Sequence, residues 1–336
     1  MEIQNRRYLG NKFKLLDFIQ RVVKENCIKI KTVADIFAGT GVVASAFKNK
    51  IIITNDLLYS NYLCNLAWFG SENVRFEIIF DLISEYNRKK NTKENYMTKN
   101  FSDTYFSKKD CSKIGFIRED IEQKYNDKII NERERAVLIA SLIYAMDKIA
   151  NTCGHYDAWR HNASFEKHLI LPILNISESN NKNNRCFNKN ANELVKEINA
   201  DLIYIDPPYN SRQYSDTYHL LENVARWEKP PVYGVGLKYD RTDLKSEYCT
   251  QKATEAFEDL IENCNAKYIL LSYNNMGQKG NERSNARISD DDIIKILKDK
   301  GKVNVFSKKY KTFSTGKSNI IDNEERLFLC KVGGKR

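Results

Sequence analysis

Thr32-Val33-Ala34-Asp35-Ile36-Phe37-Ala38-Gly39-Thr40-Gly41 reads as an apolar strand that breaks into a glycine loop. Val42-Val43-Ala44-Ser45-Ala46-Phe47 continues as a helix-like run, and Ile51-Ile52-Ile53-Thr54 is a second strand ending in Asn55-Asp56. Strand, glycine loop, helix and strand together open an α/β unit with parallel strands. On the N-terminal side, the charged turn Arg6-Arg7-Tyr8-Leu9-Gly10-Asn11-Lys12 runs into residues 13–23, whose apolar positions recur at helical spacing. On the C-terminal side the pattern lapses. Residues 75–130 are polar, rich in Lys, Asn and Tyr, and poor in strand signals. Asn131-Glu132-Arg133-Glu134 has the form of a capping box, and the helix it starts is apolar almost all round through Ala145, which predicts burial. Residues 177–185 are a polar, low-complexity stretch expected to be a junction or an exposed loop.

After that stretch the α/β pattern returns. Residues 202–205, 268–271, 303–306 and 327–330 read as strands, and Ser289 caps a helix that closes at Gly301. The expected architecture is one doubly wound domain with a mostly parallel, seven-stranded sheet. It is assembled from residues 1–74 and 186–336 and interrupted by a mainly helical insertion over 75–185.

Composition narrows the class of protein. The chain has 336 residues, 42% of them hydrophobic, with 14 Gly and 5 Pro, enough for a large core plus a smaller appended region. No stretch reaches the roughly 18 to 20 apolar residues needed to span a bilayer, and residues 1–7 lack the apolar run of a signal peptide. A soluble, intracellular protein of the cytoplasm is expected. Eight cysteines are spread singly with no Cys-x-x-Cys pair, which favours free, mostly buried thiols. No carboxylate pattern at ligand spacing joins His155, His161 and His168, so no metal site is expected. A net charge of +10 favours a polyanionic partner, because lysines and arginines that meet phosphates release condensed counterions.

The most informative run for chemistry is Tyr204-Ile205-Asp206-Pro207-Pro208-Tyr209-Asn210. A strand ends and is followed at once by two prolines, which fix their own φ and hold the preceding residue extended. The result is a rigid loop at the carboxyl edge of the sheet, where open α/β sheets bind ligands. A plain turn is the competing reading of the tetrapeptide alone. The chemistry favours a site. The exocyclic amine of a base is a poor nucleophile because its lone pair is delocalised into the ring. Two acceptors aimed at its hydrogens, the Asp206 carboxylate and the Pro207 carbonyl, shift the nitrogen towards sp³ character. Tyr209 can stack on the base face, and a methyl held in line completes the displacement. Pro208 completes the rigid loop.

The glycine loop supplies the partner to that chemistry, since Gly39 and Gly41 let backbone approach a cofactor closely. It is not a full dinucleotide fingerprint, because Ala44 stands where the third glycine would be. Asp56, at the end of the next strand, is where a carboxylate can accept both hydroxyls of a ribose.

The order Arg7-Tyr8-Leu9-Gly10-Asn11-Lys12, then Phe37-Ala38-Gly39-Thr40-Gly41, then Asn55-Asp56, then Asp206-Pro207-Pro208-Tyr209 resembles the Dam-like, α-class adenine-specific DNA methyltransferases. That family includes the modification enzymes of restriction–modification systems. The resemblance implies a Rossmann-like methyltransferase fold, S-adenosylmethionine as cofactor, and methylation of N6 of an adenine flipped out of duplex DNA. It further implies that Tyr8 and Lys12 border the cofactor pocket, that Asp35, Phe37, Gly39 and Gly41 hold the methionine moiety, and that Asp56 holds the ribose. Where the family has an Asp near the cofactor adenine, this chain has Asn190, which can accept a hydrogen bond but carries no charge.

The insertion is where the resemblance implies target recognition. Tyr105-Phe106-Ser107-Lys108-Lys109 mixes aromatic and basic groups, and the loop around Tyr156 and Arg160 is a second candidate for DNA contact. Arg212 and Gln213, directly after the catalytic loop, could reach phosphates or base edges. Lys308-Lys309-Tyr310-Lys311 either tracks the backbone or is a solvated face. A cognate endonuclease is a candidate partner in function, and the sequence does not establish that one exists. Three readings compete: methylation of cytosine N4, methylation of RNA or a protein amide, and a catalytically idle sequence-specific DNA-binding protein.

Overall fold

The computed structural model describes residues 3, 6, 8–161, 164–274, 286–309 and 324–333, with the side chain of Lys309 outside that set. After a 3-10 turn over Phe13–Leu15 comes α1 (Leu16–Asn26), which buries Phe18, Ile19, Val22 and Val23 at helical spacing. β1 (Thr32–Asp35) leads through the glycine loop into α2 (Val42–Ser45), a single turn that stops short of the expected Phe47. β2 (Ile51–Asn55) is followed by α3 (Tyr59–Phe69), α4 (Phe76–Arg88), α5 (Tyr96–Phe101), α6 (Lys108–Asn126) and α7 (Glu132–Ile149). The chain rejoins the sheet with β3 (Arg185–Phe187), α8 (Ala191–Leu194) and β4 (Ala200–Ile205). It continues through α9 (Tyr214–Thr217), α10 (His219–Arg226), α11 (Ala253–Asn263) and β5 (Ala266–Asn274). α12 (Asp290–Lys300), β6 (Gly301–Lys309) and β7 (Glu324–Val332) complete it.

These strands make one sheet in the order β3-β2-β1-β4-β5-β7-β6, parallel from β3 to β5, with β7 antiparallel to both neighbours. This is the doubly wound arrangement of an α/β Rossmann-like methyltransferase. The winding reverses between β1 and β4, the topological switch point at which such sheets open a crevice. Register decides what meets there. Asp35 lies opposite Thr54 of β2 and Tyr204 of β4, so all three strands end level with one another. The glycine loop, Asp56 and Asp206 therefore leave the sheet at one edge.

Alternation along each strand splits the core in two. Val33, Ile52, Leu202, Tyr204 and Leu270 join a cluster with α1, α3 and α10, which α4 to α7 extend without a break. Ala34, Ile53, Ile203, Ile205, Ile269 and Leu271 join the other with α8, α11 and α12. Helix α7 is buried on every side from Arg133 to Met146, as its sequence predicts, and it packs along α3. The fully buried Arg133 donates to the carbonyls of Ala67, Glu72, Ser177 and Glu178, tying α7 both to α3 and to the polar stretch that returns to β3. That stretch, read from sequence as a junction or exposed loop, is thus pinned by a buried cation at its start. β3 itself has no sequence signal: three half-exposed residues at a sheet edge are too few to show alternation. All eight cysteines are free thiols and five are buried. Among the described residues no helix is long and apolar enough to cross a membrane.

The capping box at α7 is present in full: the Asn131 side chain accepts from the Glu134 N–H, and Glu134 accepts from the Asn131 N–H at 2.8 Å. Asn131→Ala is expected to lower unfolding free energy by about 1 kcal/mol, read by urea denaturation. An unchanged midpoint would show that tertiary burial alone sets this helix start.

Candidate active site

The aligned ends of β1, β2 and β4 open into a cleft of ≈1120 Å³, counted to its open mouth. Tyr8, Lys12, Asp35, Phe37, Gly39, Asp56, Asn190 and the whole of Asp206-Pro207-Pro208-Tyr209 line it. Gly41 does not. It is the N-cap of α2 at φ 77°, and an added Cβ would lie 2.6 Å from Asn65 Oδ1, so its glycine serves the turn rather than a ligand.

Gly39 is at φ 50°, and its peptide N–H donates to Asp56 Oδ2 at 2.8 Å. A Cβ there would stand 3.2 Å from the Tyr8 ring. Asp56 also accepts from the Leu58 N–H and from Asn61, so it fastens the glycine loop to the end of β2. Burial pushes its carboxyl up to about 6. Asp35 is more extreme: it is 1% exposed, and neither carboxyl oxygen has a hydrogen-bond partner among the described residues. Burial, then the nearby Asp206 and Asp56, hold it well above the usual carboxylate range, while the peptide groups of Ala44 and Phe37 pull weakly the other way. A buried acid without a partner that lines a cleft suits a ligand carrying positive charge. Phe37 meets Tyr248 edge-on at 5.2 Å on another wall, and Asn190 caps α8 by accepting from the Asn192 N–H.

Asp206 is the first residue past β4. Its Oδ1 is 3.0 Å from Lys12 Nζ, which lies 3.1 Å from Glu325 Oε1 at the start of β7. Burial raises the Asp206 carboxyl to about 6, with Lys12 opposing and Glu325 adding to the rise. Burial works against the Lys12 ammonium, but Asp206 and Glu325 together hold it well above the ordinary lysine value. The loop beyond is pinned where the Tyr209 carbonyl accepts from the Arg287 N–H at 2.8 Å. The Tyr209 ring lies edge-on to Tyr273.

Sequence reasoning missed several members of the site. Tyr8 stacks on Tyr218 at 4.6 Å and 12°, with Tyr214 at 5.5 Å. Tyr218 Oη accepts from the Leu9 N–H, and the Tyr214 hydroxyl donates to the Leu9 carbonyl, so this pair clamps the N-terminal motif against the cleft. The available signal was their i,i+4 spacing shortly after the Asp-Pro-Pro-Tyr loop. Glu325 carried none, since only the antiparallel course of β7 brings it here.

Two of the surface expectations are corrected. Tyr156 is 2% exposed; its hydroxyl donates to Asp147 Oδ1 at 2.9 Å and its N–H to the Thr217 carbonyl. The loop folds back on α7 and α9, which removes that ring from any DNA-facing surface. Tyr105 and Phe106 are likewise fully buried, Ser107 caps α6, and Lys108 pairs with Glu94. The Gln213 amide is tied at both ends to the Ser246 backbone and so braces the cleft wall. Arg160 and Arg212 are exposed. Arg7, Tyr310 and Lys311 lie outside the described residues.

Comparison with known proteins agrees with this geometry. A family model described as D12 class N6 adenine-specific DNA methyltransferase matches residues 8–282. The modification methylase StsI of Streptococcus sanguinis is 36% identical over 95% of this chain and 50% of its own length. The modification methylase LlaI of Lactococcus lactis subsp. lactis is 33% identical over 96% of this chain and 53% of its own. The chain thus spans about half the length of these two relatives. The type II methyltransferase M.NlaIII of Neisseria lactamica is 30% identical over 93% of both chains.

The correction at Tyr156 can be checked directly. Tyr156→Phe is expected to cost about 1–2 kcal/mol of stability, because it leaves a half-buried Asp147 oxygen without its donor. A denaturation midpoint equal to wild type would return the ring to the surface set.

Proposed function

The chain belongs to the D12 class N6 adenine-specific DNA methyltransferase family, and on that premise we propose that it transfers a methyl group from S-adenosylmethionine to N6 of adenine in duplex DNA. The observation that carries the reading is the adjacency, along one cleft, of a partnerless buried acid and a lysine-held Asp-Pro-Pro-Tyr loop.

The residues of the cleft fit S-adenosylmethionine. The orphaned Asp35 carboxyl suits its ammonium, and Gly39 in the cleft wall lets backbone approach its amino-acid moiety closely. Asp56 keeps acceptor capacity for a ribose hydroxyl beyond its three protein donors. Phe37 and Tyr248 would flank the adenine, with Asn190 at its polar edge. Tyr8 would close the cleft on the side of the N-terminal motif. When bound, this cofactor supplies a methyl group activated by its sulfonium.

At neutral pH the Asp206 carboxyl, titrating at about 6, is ionised and accepts one hydrogen of the target amine. The Pro207 carbonyl accepts the other. The two bonds localise the nitrogen lone pair, and Tyr209 stacks on the flipped base. Once methylated, the amine would be acidic, and Asp206 would be placed to receive its proton. Below about pH 6 the protonated carboxyl no longer accepts, so the rate should fall on the acid side.

Residues 75–185 would serve target recognition, with residues 1–74 and 186–336 as the catalytic part. Arg160 and Arg212 have the exposed charge for phosphate contact, and Gln213 would support the wall beside the base. The modification role in a restriction–modification system, a cognate endonuclease and a cytoplasmic location all follow from this reading.

The test is transfer of radiolabelled methyl from S-adenosylmethionine to unmethylated duplex DNA, followed by nucleoside analysis. N6-methyladenine is expected, reduced about 100-fold or more in Asp206→Ala. Label in N4-methylcytosine would overturn the base assignment. Absence of label on varied DNA, with cofactor bound, would overturn DNA as the substrate.

A further inference from the structure

We propose that Glu325 is a positioning residue for methyl transfer, acting through Lys12 to orient the Asp206 carboxylate and to keep the site negative where the target amine docks. The proposal rests on the reading of Asp206 as the acceptor of that amine.

The placement comes from topology. β7 runs antiparallel to β5, so its first residues, not its last, lie at the carboxyl edge of the parallel strands. Glu325 pairs in register with Asn274 at the end of β5 and with Lys308 of β6, and it is 8% exposed. Its Oε1 accepts from the Ser272 hydroxyl at 2.8 Å and is ion-paired with Lys12 at 3.1 Å. The Lys12 ammonium has three N–H groups, and three acceptors surround it: Asp206 Oδ1 at 3.0 Å, Glu325 Oε1 at 3.1 Å and the Gly10 carbonyl at 3.3 Å. Among the described residues Lys12 is thus enclosed by protein acceptors. Its place is that of a coupling between two acids from distant parts of the chain.

The coupling has a physical purpose. Lys12 fixes Oδ1 of Asp206 and leaves Oδ2 to the amine. A lysine alone would neutralise Asp206 and weaken it as an acceptor, just as positive charge builds on the attacking nitrogen. Glu325 restores a net charge of −1 to the trio. A glutamine could accept the same bond from Ser272, so the charge is what distinguishes a glutamate here. The other groups facing Asp206 are Asp35 of β1, Tyr204 of β4, Tyr209 of the loop and Tyr214 of α9. Among these Asp35 is the one acid, and it would be committed to the cofactor.

Glu325→Gln keeps shape and the bond from Ser272 while removing the charge. The Asp206 carboxyl should then titrate lower, because its neighbouring negative charge is gone. The acid limb of kcat/KM is expected to move about one unit to lower pH, with kcat at pH 8 down about 10-fold and cofactor KM little changed. Lys12→Met should move the same limb to higher pH. An unmoved limb with unchanged kcat, or an unmoved limb with lost activity and a lowered melting temperature, would overturn the proposal. The titration of Asp206 followed by difference infrared spectroscopy on the cofactor-free protein, with Asp206→Asn identifying the band, is an independent readout. A lower titration in Glu325→Gln supports the coupling, and an identical one sinks it. Full methylation by Asp206→Ala would instead sink the reading of Asp206, whatever Glu325 does.

Discussion

The level ends of three parallel strands govern this molecule. Because Asp35 is in register with both Thr54 and Tyr204, three carboxylates, Asp35, Asp56 and Asp206, emerge at one edge within mutual electrostatic reach. A slip of one residue in either pairing would send the strand's apolar side chains to the opposite face and break both core clusters at once. Packing of Val33, Ile52 and Leu202 against one layer of helices, and of Ala34, Ile53 and Ile203 against the other, is therefore what holds the acids together. The site borrows its geometry from the hydrophobic core.

Crowding acids in a low-dielectric cleft has a cost, and the protein meets it at two of the three. Asp56 is satisfied by donors from the glycine loop and its own turn. Asp206 is held by Lys12, itself shared with Glu325. Asp35 alone of the three accepts no hydrogen bond of normal geometry from the described residues. Removing that burden is something a cationic ligand can do and no described side chain does. The binding of a positively charged cofactor and the repulsion among these acids are thus two sides of one proposed interaction.

Much of this was legible in the sequence, and the reasons for success and failure are physical. β1, β2, β4 and β5 announced themselves because strands buried on both faces are continuous apolar runs. The acid at the end of β2 and the Asp-Pro-Pro-Tyr loop after β4 were readable because strand ends are where local signals change. Non-local relations were not readable. Nothing near Glu325 in the chain points to Lys12, more than 300 residues earlier, and the pair meets only through the reversal of β7. The aromatic runs at Tyr105-Phe106 and at Tyr156 misled for the opposite reason. Aromatic and polar residues adjacent in sequence suggest a surface, yet α6, α7 and the loop after α7 have enough apolar neighbours to bury the rings.

The same non-locality bears on how the insertion relates to the catalytic part. α4 to α7 belong to the apolar cluster that also contains the strand residues of the sheet, and Arg133 of α7 ties the insertion's last segment to α3. A further buried link runs from Arg6, through Asp147 of α7, to the Tyr156 hydroxyl. Arg6 stands two residues before Tyr8 and six before Lys12. The helix that anchors the proposed recognition region therefore also anchors the segment that delivers Lys12 to Asp206.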